Sequence, residues 1–481
     1  MTALEWLLIP LLALTLVVLT LFSANLATLS LARLLAPRRA LASAALDPER
    51  LPEVLVQLPL YNEGELIGPL LEHMAALDWP RERLHVQVLD DSTDDSLALS
   101  EQAVARARAA GLRVELIHRR ERTAFKAGAL AAGLECSEAP LVAIFDADFA
   151  PPPDFLRRTV AVLEADPGLA YVQTRWAHRN RDHSLLTRVQ ARLLDAHFRV
   201  EQEARWRLGL PVPFNGTGGV WRRAAIESAG GWHGDTLTED LDLSLRAHLR
   251  GWRSAFLGAL EVPAVLPTST RAWRAQQFRW SKGFAQCFLK LAPMVWSSPR
   301  LAPWQKLLIG LELAQPLAFL LGSLCLLMGL PFIAGAAVGG ALLGTVAITA
   351  SVLGLVAPVG FLLLAGHGGG VRETAREVAG ALVLTSGLLL SNARAGAEAL
   401  LGHRSEFVRT PKRRGGPGAR RRQWRGGLPE LAAGLALLGF VLLQQPVAVI
   451  YLLVVIGGLL GVGALQLRDA LLLDRPGEPG A

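Results

Sequence analysis

Two aspartates one residue apart, Asp146 and Asp148, end the apolar run in LVAIFDADFAPPP, residues 141–153. In an extended chain residues i and i+2 point to the same side, so the two carboxylates can converge on one cation. A hard divalent ion, Mg2+ or Mn2+, takes one or two such carboxylates and completes its shell with phosphate oxygens and water. The plainer alternative is a solvated acidic turn before Pro151. With 42 acidic residues in 481, about four acid pairs at this spacing arise by chance, so context must carry the argument.

Other stretches supply that context. DDSTDDS, residues 90–96, follows a strand and precedes a helix. Thr93, Asp94 and Asp95 suit helix capping, whereas Asp90 and Asp91 close an apolar strand where a base or ribose could be held. LPLYNE, residues 58–63, ends another strand and offers the ring of Tyr61 and the carboxylate of Glu63. In RTAFKAGAL, residues 122–130, Lys126 stands near a helix start, where the helix dipole disfavours a cation unless an anion such as phosphate is bound. An exposed surface lysine is the other reading. FNGTGGVWRR, residues 214–223, is a small-residue turn before a helix, suited to close approach by a substrate. TLTEDLDLSLRAHLRGW, residues 236–252, begins a helix with Thr238 as N-cap and Glu239 and Asp240 in its first turn. Capping explains these acids, and so does one acid facing a cleft as general base. QQFRWSKG, residues 276–283, groups Gln276, Arg279 and Trp280. The indole fits either a membrane interface or a stacking platform for a sugar, with the guanidinium neutralising a diphosphate. His178 and His183 lack partners for a ligand pattern and read as structural.

The elements that must position these residues alternate. Strand patterns at 54–59, 85–90, 112–117 and 141–146 are separated by helical patterns near 65–77, 95–109 and 125–134. That alternation predicts a parallel α/β sheet, in which ligands sit outside the carboxyl ends of the strands. Asp90, Asp91, Asp146 and Asp148 all fall at such ends.

This soluble composition is bracketed by apolar sequence. Residues 7–32 carry no charge and are long enough to cross a bilayer as a helix. Arg33, Arg38 and Arg39 follow, which places residue 40 onward in the cytoplasm by the positive-inside tendency. Further spans are expected near 306–333, 338–365, 430–447 and 449–467, with 378–400, which carries Asn392, Arg394 and Glu398, interfacial or re-entrant. The net charge of +7 has its main source in residues 404–425, read as contact with anionic membrane lipids rather than nucleic acid. Cys136, Cys287 and Cys325 form no CxxC pair, which fits a reducing compartment and argues against a disulfide framework or zinc site.

The ordered series LPLYNE, DDSTDD, FKAGAL, FDADF, FNGTGG, TEDLDLSLR and QQFRW resembles the processive membrane-bound family 2 glycosyltransferases, the cellulose synthases and the glucomannan or mannan synthase-like branch. The resemblance covers about residues 50–300. It implies an α/β GT-A (Rossmann-like) catalytic domain beside an α-helical transmembrane region, and an inverting transfer of hexose from a nucleotide sugar, UDP- or GDP-linked, to a growing β-linked polysaccharide. It also implies that Tyr61, Glu63, Asp91 and Lys126 bind the donor beside Asp90, that Asp146 and Asp148 hold the metal-bound diphosphate, and that Asp240, next to Glu239, is the base. Gln276, Arg279 and Trp280 then lie near acceptor and diphosphate. Phe407, Thr410 and Lys412 match a gating-loop pattern of cellulose synthases. Lipid glycosyltransferases share much of this motif set, so a glycan or a lipid acceptor is expected. The implied organisation is an anchor at 1–34, the catalytic domain at 50–265, interfacial helices at 266–304, transmembrane and interfacial or re-entrant helices at 305–400, a basic cytoplasmic loop at 401–428, a transmembrane hairpin at 429–468 and a tail at 469–481. The implied location is the cell membrane, with the catalytic domain cytoplasmic.

Overall fold

The structure is a computed structural model that describes residues 3–333, 340–366, 369–403, 427–444 and 449–472. Its strands are β1 (Val54–Leu60), β2 (Leu84–Asp90), β3 (Val114–His118), β4 (Leu141–Ile144), β5 (Leu169–His178), β6 (Gly219–Arg222) and β7 (Arg253–Ala264). Among the described residues they form one sheet in the order β3-β2-β1-β4-β6-β5-β7. Helices α1 (Ala3–Leu35), α2 (Gly64–Ala75), α3 (Ser96–Ala109), α4 (Phe125–Glu135), α5 (Phe155–Ala165), α6 (Leu185–Ala196), α7 (Glu203–Leu208), α8 (Arg223–Ser228) and α9 (Glu239–Leu249) precede or surround it. Then come α10 (Thr270–Ser297), α11 (Pro303–Ala314), α12 (Leu317–Ile333), α13 (Gly340–Leu364), α14 (Val371–Ser386), α15 (Leu389–Leu400) and the helices Leu428–Gln444 and Val449–Leu472.

The period-two pattern of the strands explains the layers. Val54, Val56, Leu58 and Leu60 of β1 join Ile67, Leu71 and Val104 on one face. Leu55, Val142 and Ile144 join Leu130 and Leu134 of α4 on the other. Each fully buried Val or Leu contributes about 1.5–3 kcal/mol relative to exposure. A polar row crosses the second face in register: Gln57 donates to Gln87 Oε1 at 3.2 Å, and Gln87 donates to Glu115 Oε1 at 2.7 Å. β1 pairs in parallel with both β2 and β4, so the strand order reverses there, the place where α/β sheets open a crevice.

The sheet is mixed rather than parallel throughout. β6 runs antiparallel to both β4 and β5, because the glycine-rich turn before it sends the chain back between them. The stretch expected as a turn leading to a helix therefore contains a four-residue strand before α8.

The apolar segments also differ from the expected pattern. Helices Leu8–Leu35 and Leu452–Leu471 are long and apolar enough to cross a membrane, and among the described residues the total rises to four if each bent pair counts as one span. The expected span over 306–333 is broken by 71° between Ala314 and Leu317. Pro316 lies in the break and lacks the N–H needed for a continuous helix. The segment expected to be interfacial or re-entrant is also a bent pair, α14 and α15, with an angle of 49°. At that break Ser386 Oγ donates to Val383 O at 2.8 Å and to Val454 O of the last helix at 3.0 Å.

Buried charge ties these helices to the sheet domain. Glu377 of α14 lies between Arg181, 2.8 Å away, and Arg192 of α6, 2.6 Å away. Arg274 of α10 meets Glu430 at 2.7 Å and Gln466 at 2.8 Å. The expected gating-loop residues Phe407, Thr410 and Lys412, and the basic run around them, lie outside the described residues.

Candidate active site

At the carboxyl ends of β1, β2 and β4 lies a cleft of about 460 Å3, closed on other sides by α6, α9 and α10. Its wall carries Tyr61, Glu63, Asp91, Lys126, Asp146, Asp148, Glu239, Asp240, Gln276, Arg279 and Trp280. The local structure explains why these side chains meet. The β1 and β2 loops are laced together: the Asn62 N–H donates to Ser92 Oγ at 2.8 Å, and the Thr93 N–H to Asn62 Oδ1 at 2.9 Å. Asn62, Ala124 and Phe125 have φ of 55°, 56° and 49°, a strained region for residues other than glycine. Such strain concentrates at functional sites.

Asp91 is gripped from two sides of its carboxylate by Arg119, at 2.8 and 2.6 Å. The same guanidinium donates to Thr123 O at 3.1 Å and Phe125 O at 2.9 Å, which holds the left-handed start of α4. Arg122 lies over the Tyr61 ring with its central carbon 3.5 Å from the centroid. Asp90 is not brought to the cleft wall. It is fully buried beneath, where Oδ1 accepts from the Ser92 N–H at 2.7 Å. At the neighbouring turn the N-cap residue of α3, Asp95, makes no side-chain capping bond, and Asp94 Oδ1 instead accepts from the Ser96 N–H at 3.0 Å.

Lys126, one residue inside α4, donates to Asp146 Oδ1 at 2.6 Å and to Gly216 O at 2.8 Å. Burial depresses its pKa, but Asp146, Glu239 and Asp240 outweigh that and raise it above the ordinary lysine value. The Asp146 N–H donates to Thr217 Oγ1 at 2.9 Å, and Asp148 Oδ2 accepts from the Val265 N–H at 3.3 Å. Gly216 has φ of +77°, and a Cβ there would lie 2.9 Å from Asp240 Oδ2 and 3.3 Å from Lys126 Nζ. Glycine suits the positive φ here and lets both groups approach without displacement.

Asp240 is pushed up to about 7 by burial and by Glu239, against the pull of Lys126 and Arg279. Arg279 is lowered by burial, against Glu239, Asp240 and Asp146. A carboxylate poised near neutrality beside two cations can exchange a proton with a bound hydroxyl. Thr238 precedes α9, but its side chain makes no capping hydrogen bond there. Its hydroxyl instead lies 3.3 Å from Cys287 Sγ, and a Cβ on Gly283 would lie 2.5 Å from Thr238 Cγ2. The close approach of α10 to this turn brings Arg279 toward Asp240. On α10, Gln276, Arg279 and Trp280 occupy i, i+3 and i+4, one helical face, and all three reach the cleft.

The chemistry of the donor set fits a hard divalent ion: Asp146 and Asp148 both stand on the cleft wall, and the Asp146 side chain is 37% exposed. A second cluster, His233, Asp235 and Asp242, has ligand atoms within 4.8 Å of one another. There Lys290 Nζ lies 2.8 Å from Asp235 and 2.9 Å from Asp242, and Arg246 lies 2.7 Å from Asp242. Protein cations already neutralise those acids, which makes the cluster a tie between α9 and α10.

Trp176 and His197 of the cleft had no part in the sequence reading, nor did Arg119 behind Asp91, and Arg122 and Asn215 lie in stretches singled out there without a role of their own. HRRERTAFK, residues 118–126, signals the arginines through its basic run before the lysine. No local pattern marks His197. His178 also lines the cleft, whereas His183 ends a short 3-10 turn.

Comparison with known proteins bears on the same part of the chain. The chain is 44% identical over 268 residues to glucomannan 4-beta-mannosyltransferase 2 of Arabidopsis thaliana, a stretch that is 55% of this chain and 50% of that protein. It is 46% identical over 245 residues to probable glucomannan 4-beta-mannosyltransferase 7 of Oryza sativa subsp. japonica, covering 50% of this chain and 42% of that one. The chain thus spans about half the length or less of these curated relatives. In fold it is similar to a mannosyltransferase from Pyrobaculum calidifontis solved in complex with GDP-Man and Mn2+, with a TM-score of 0.54 and 23% identity over 82% of this chain and 100% of that one. The family model of glycosyltransferase like family 2 matches residues 52–283, the stretch that builds both sheet and cleft, and that stretch has the GT-A fold.

Proposed function

We propose that the protein transfers a hexose from a nucleoside-diphosphate sugar to a growing β-linked glycan of glucan, mannan or glucomannan type, with inversion at the anomeric carbon. The observation that carries this reading is the placement of Asp240, a half-buried carboxyl pushed up to about 7 by desolvation and Glu239, on the wall of a cleft that also holds Lys126 and Arg279. Asp240 accepts the proton of the acceptor hydroxyl as that oxygen attacks the anomeric carbon. Lys126 and Arg279 stabilise the charge that develops on the departing diphosphate. Asp146 and Asp148 would hold Mg2+ or Mn2+, which when bound supplies further neutralisation of that diphosphate. Tyr61 and Asp91, ordered by Arg122 and Arg119, receive the nucleoside, and Trp280 offers a face to the acceptor sugar. The apolar helices support a multi-pass membrane protein, and Arg33, Arg38 and Arg39 after the first of them support a cell-membrane location with the catalytic domain on the cytoplasmic side.

The test is incubation of membranes carrying the protein with labelled GDP-mannose, UDP-glucose and related donors. A high-molecular-weight product cleaved by a β-mannanase or β-glucanase is expected. A product that extracts into organic solvent and carries a single sugar would replace the glycan acceptor by a lipid, and no transfer from any donor would refute the reading.

Gly216→Ala gives a local check. The strained φ and the added methyl are expected to cost about 1–2 kcal/mol of stability and, by displacing Asp240 or Lys126, to lower the transfer rate about 100-fold. Melting temperature and initial rates read the two effects.

A further inference from the structure

Between α6 and α7 the chain forms a π-helical turn, His197–Gln202, a local insertion frequent at functional sites. The turn sends Phe198 into the core and leaves His197 on the cleft wall. His197 Nδ1 lies 2.8 Å from Glu201 Oε2, and Nε2 lies 3.0 Å from Asn215 Oδ1. The Asn215 amide nitrogen donates to Pro213 O at 3.3 Å, which leaves its oxygen facing the ring. The ring is thus held from both nitrogens, by the Glu201 carboxylate on one side and the Asn215 amide on the other. Gln202 Nε2, 3.2 Å from the same ring nitrogen, donates to Pro213 O at 3.1 Å and holds the same segment.

The surrounding charges favour the imidazolium. Burial works against it, but Glu201 outweighs burial and raises the ring above the ordinary histidine value. Despite its own burial, Glu201 is held down at about 2 by His197 and Arg205. Arg205 of α7 lies 3.3 Å from Glu201, and Glu312 of α11 lies 2.6 Å from Arg205. These are the charged groups that this chain of contacts brings behind the ring.

We propose that His197 is a positioning residue for sugar transfer, fixing through Asn215 the turn that aligns Lys126, Asp146 and Asp240. Three consecutive residues carry the linkage. Asn215 meets His197. The Gly216 carbonyl accepts from Lys126 at 2.8 Å, and its bare α carbon makes room for Asp240 Oδ2. Thr217 Oγ1 accepts from the Asp146 N–H at 2.9 Å. This inference rests on the transfer reading for its kinetic consequence and on geometry alone for its structural one.

The experiment uses the full chain in nanodiscs. In His197→Phe and His197→Gln, kcat for transfer from the donor that the wild type uses is expected to fall about 30–100-fold while the donor KM moves less than about threefold, the mark of misplacement rather than lost binding. The double variant with Asn215→Ala is expected to be no slower than the slower single one, because the two residues act as one unit. Without substrate, amide hydrogen exchange over 215–218 is expected to rise at least about tenfold in His197→Phe and to stay unchanged in β1 and β2. Additive losses in the double variant, a raised KM with kcat kept, or unchanged exchange over 215–218 would each overturn the proposal. Because the exchange measurement needs no turnover, an inert wild type would refute the transferase reading while the role of His197 is still decided.

Discussion

Asp240→Asn is expected to lower kcat by about 10^3–10^4, near the upper end of what general-base catalysis supplies, while donor binding stays within a small factor of wild type. Asparagine keeps the shape of the side chain and the acceptor oxygen for the Leu241 N–H, now 2.8 Å from Asp240 Oδ1, but cannot take a proton. In the wild type the rate should rise tenfold per pH unit and level off above about 7, where Asp240 becomes ionised. That limb should vanish in the variant. Stability moves in the opposite sense. A carboxyl whose pKa is raised on folding binds its proton more tightly in the folded state, so stability is lost as pH rises from the ordinary carboxylate range to about 7. At pH 8 Asp240→Asn, relieved of an ionised half-buried group, should therefore melt higher than wild type. Retained turnover, or a fall in melting temperature at pH 8, would remove Asp240 from its assigned role.

The second large effect separates the two acids of the pair. Chelation of divalent ions is expected to abolish transfer and Mn2+ or Mg2+ to restore it, and Asp148→Asn should cost about 10^2–10^3 in rate, as lost electrostatic stabilisation of a leaving group does. Asp146→Asn should cost more and behave differently with pH. It removes the carboxylate 2.6 Å from Lys126, the largest influence that keeps this buried lysine protonated. Lys126 then loses its charge at lower pH, so the rate deficit of Asp146→Asn should widen as pH rises, whereas that of Asp148→Asn should stay flat. Transfer that persists after exhaustive chelation would leave the Lys126–Asp146 pair and Arg279 as the electrostatic machinery and exclude the metal.

Much of the cleft was legible because its parts are local. The apolar runs that became β1, β2 and β4 end in the polar residues that line it, and α4 begins at FKAGAL as the spacing predicts. Gln276, Arg279 and Trp280 meet the cleft because helical periodicity puts them on one face. Contacts made over long separations were not legible. Nothing near DAHFRVEQ, residues 195–202, indicates that His197 will reach Asn215, and nothing near Asp91 names Arg119, 28 residues later, as its partner. The antiparallel return of β6 hangs on a four-residue strand too short to declare itself. The break between α11 and α12 follows from a proline whose effect is lost when mean hydropathy is summed across it. Asp90 and Asp91 look alike in sequence, and their opposite fates follow from strand alternation at the end of β2.

The ion pairs around Glu377 make the seating of α14 depend on the sheet domain. Glu377 is buried on a helix that also carries Arg372, Glu373 and Arg376, and a buried charge stripped of its partner costs about 3–5 kcal/mol. Its neutralising partners, Arg181 and Arg192, lie almost two hundred residues earlier, and domains fold from the N-terminus during synthesis. A sheet domain folded ahead of α14 is expected to present the two guanidinium groups that receive it. Seating of α14 is thereby expected to depend on a correctly folded sheet domain, so that a defect in the sheet should also loosen the helices that follow it.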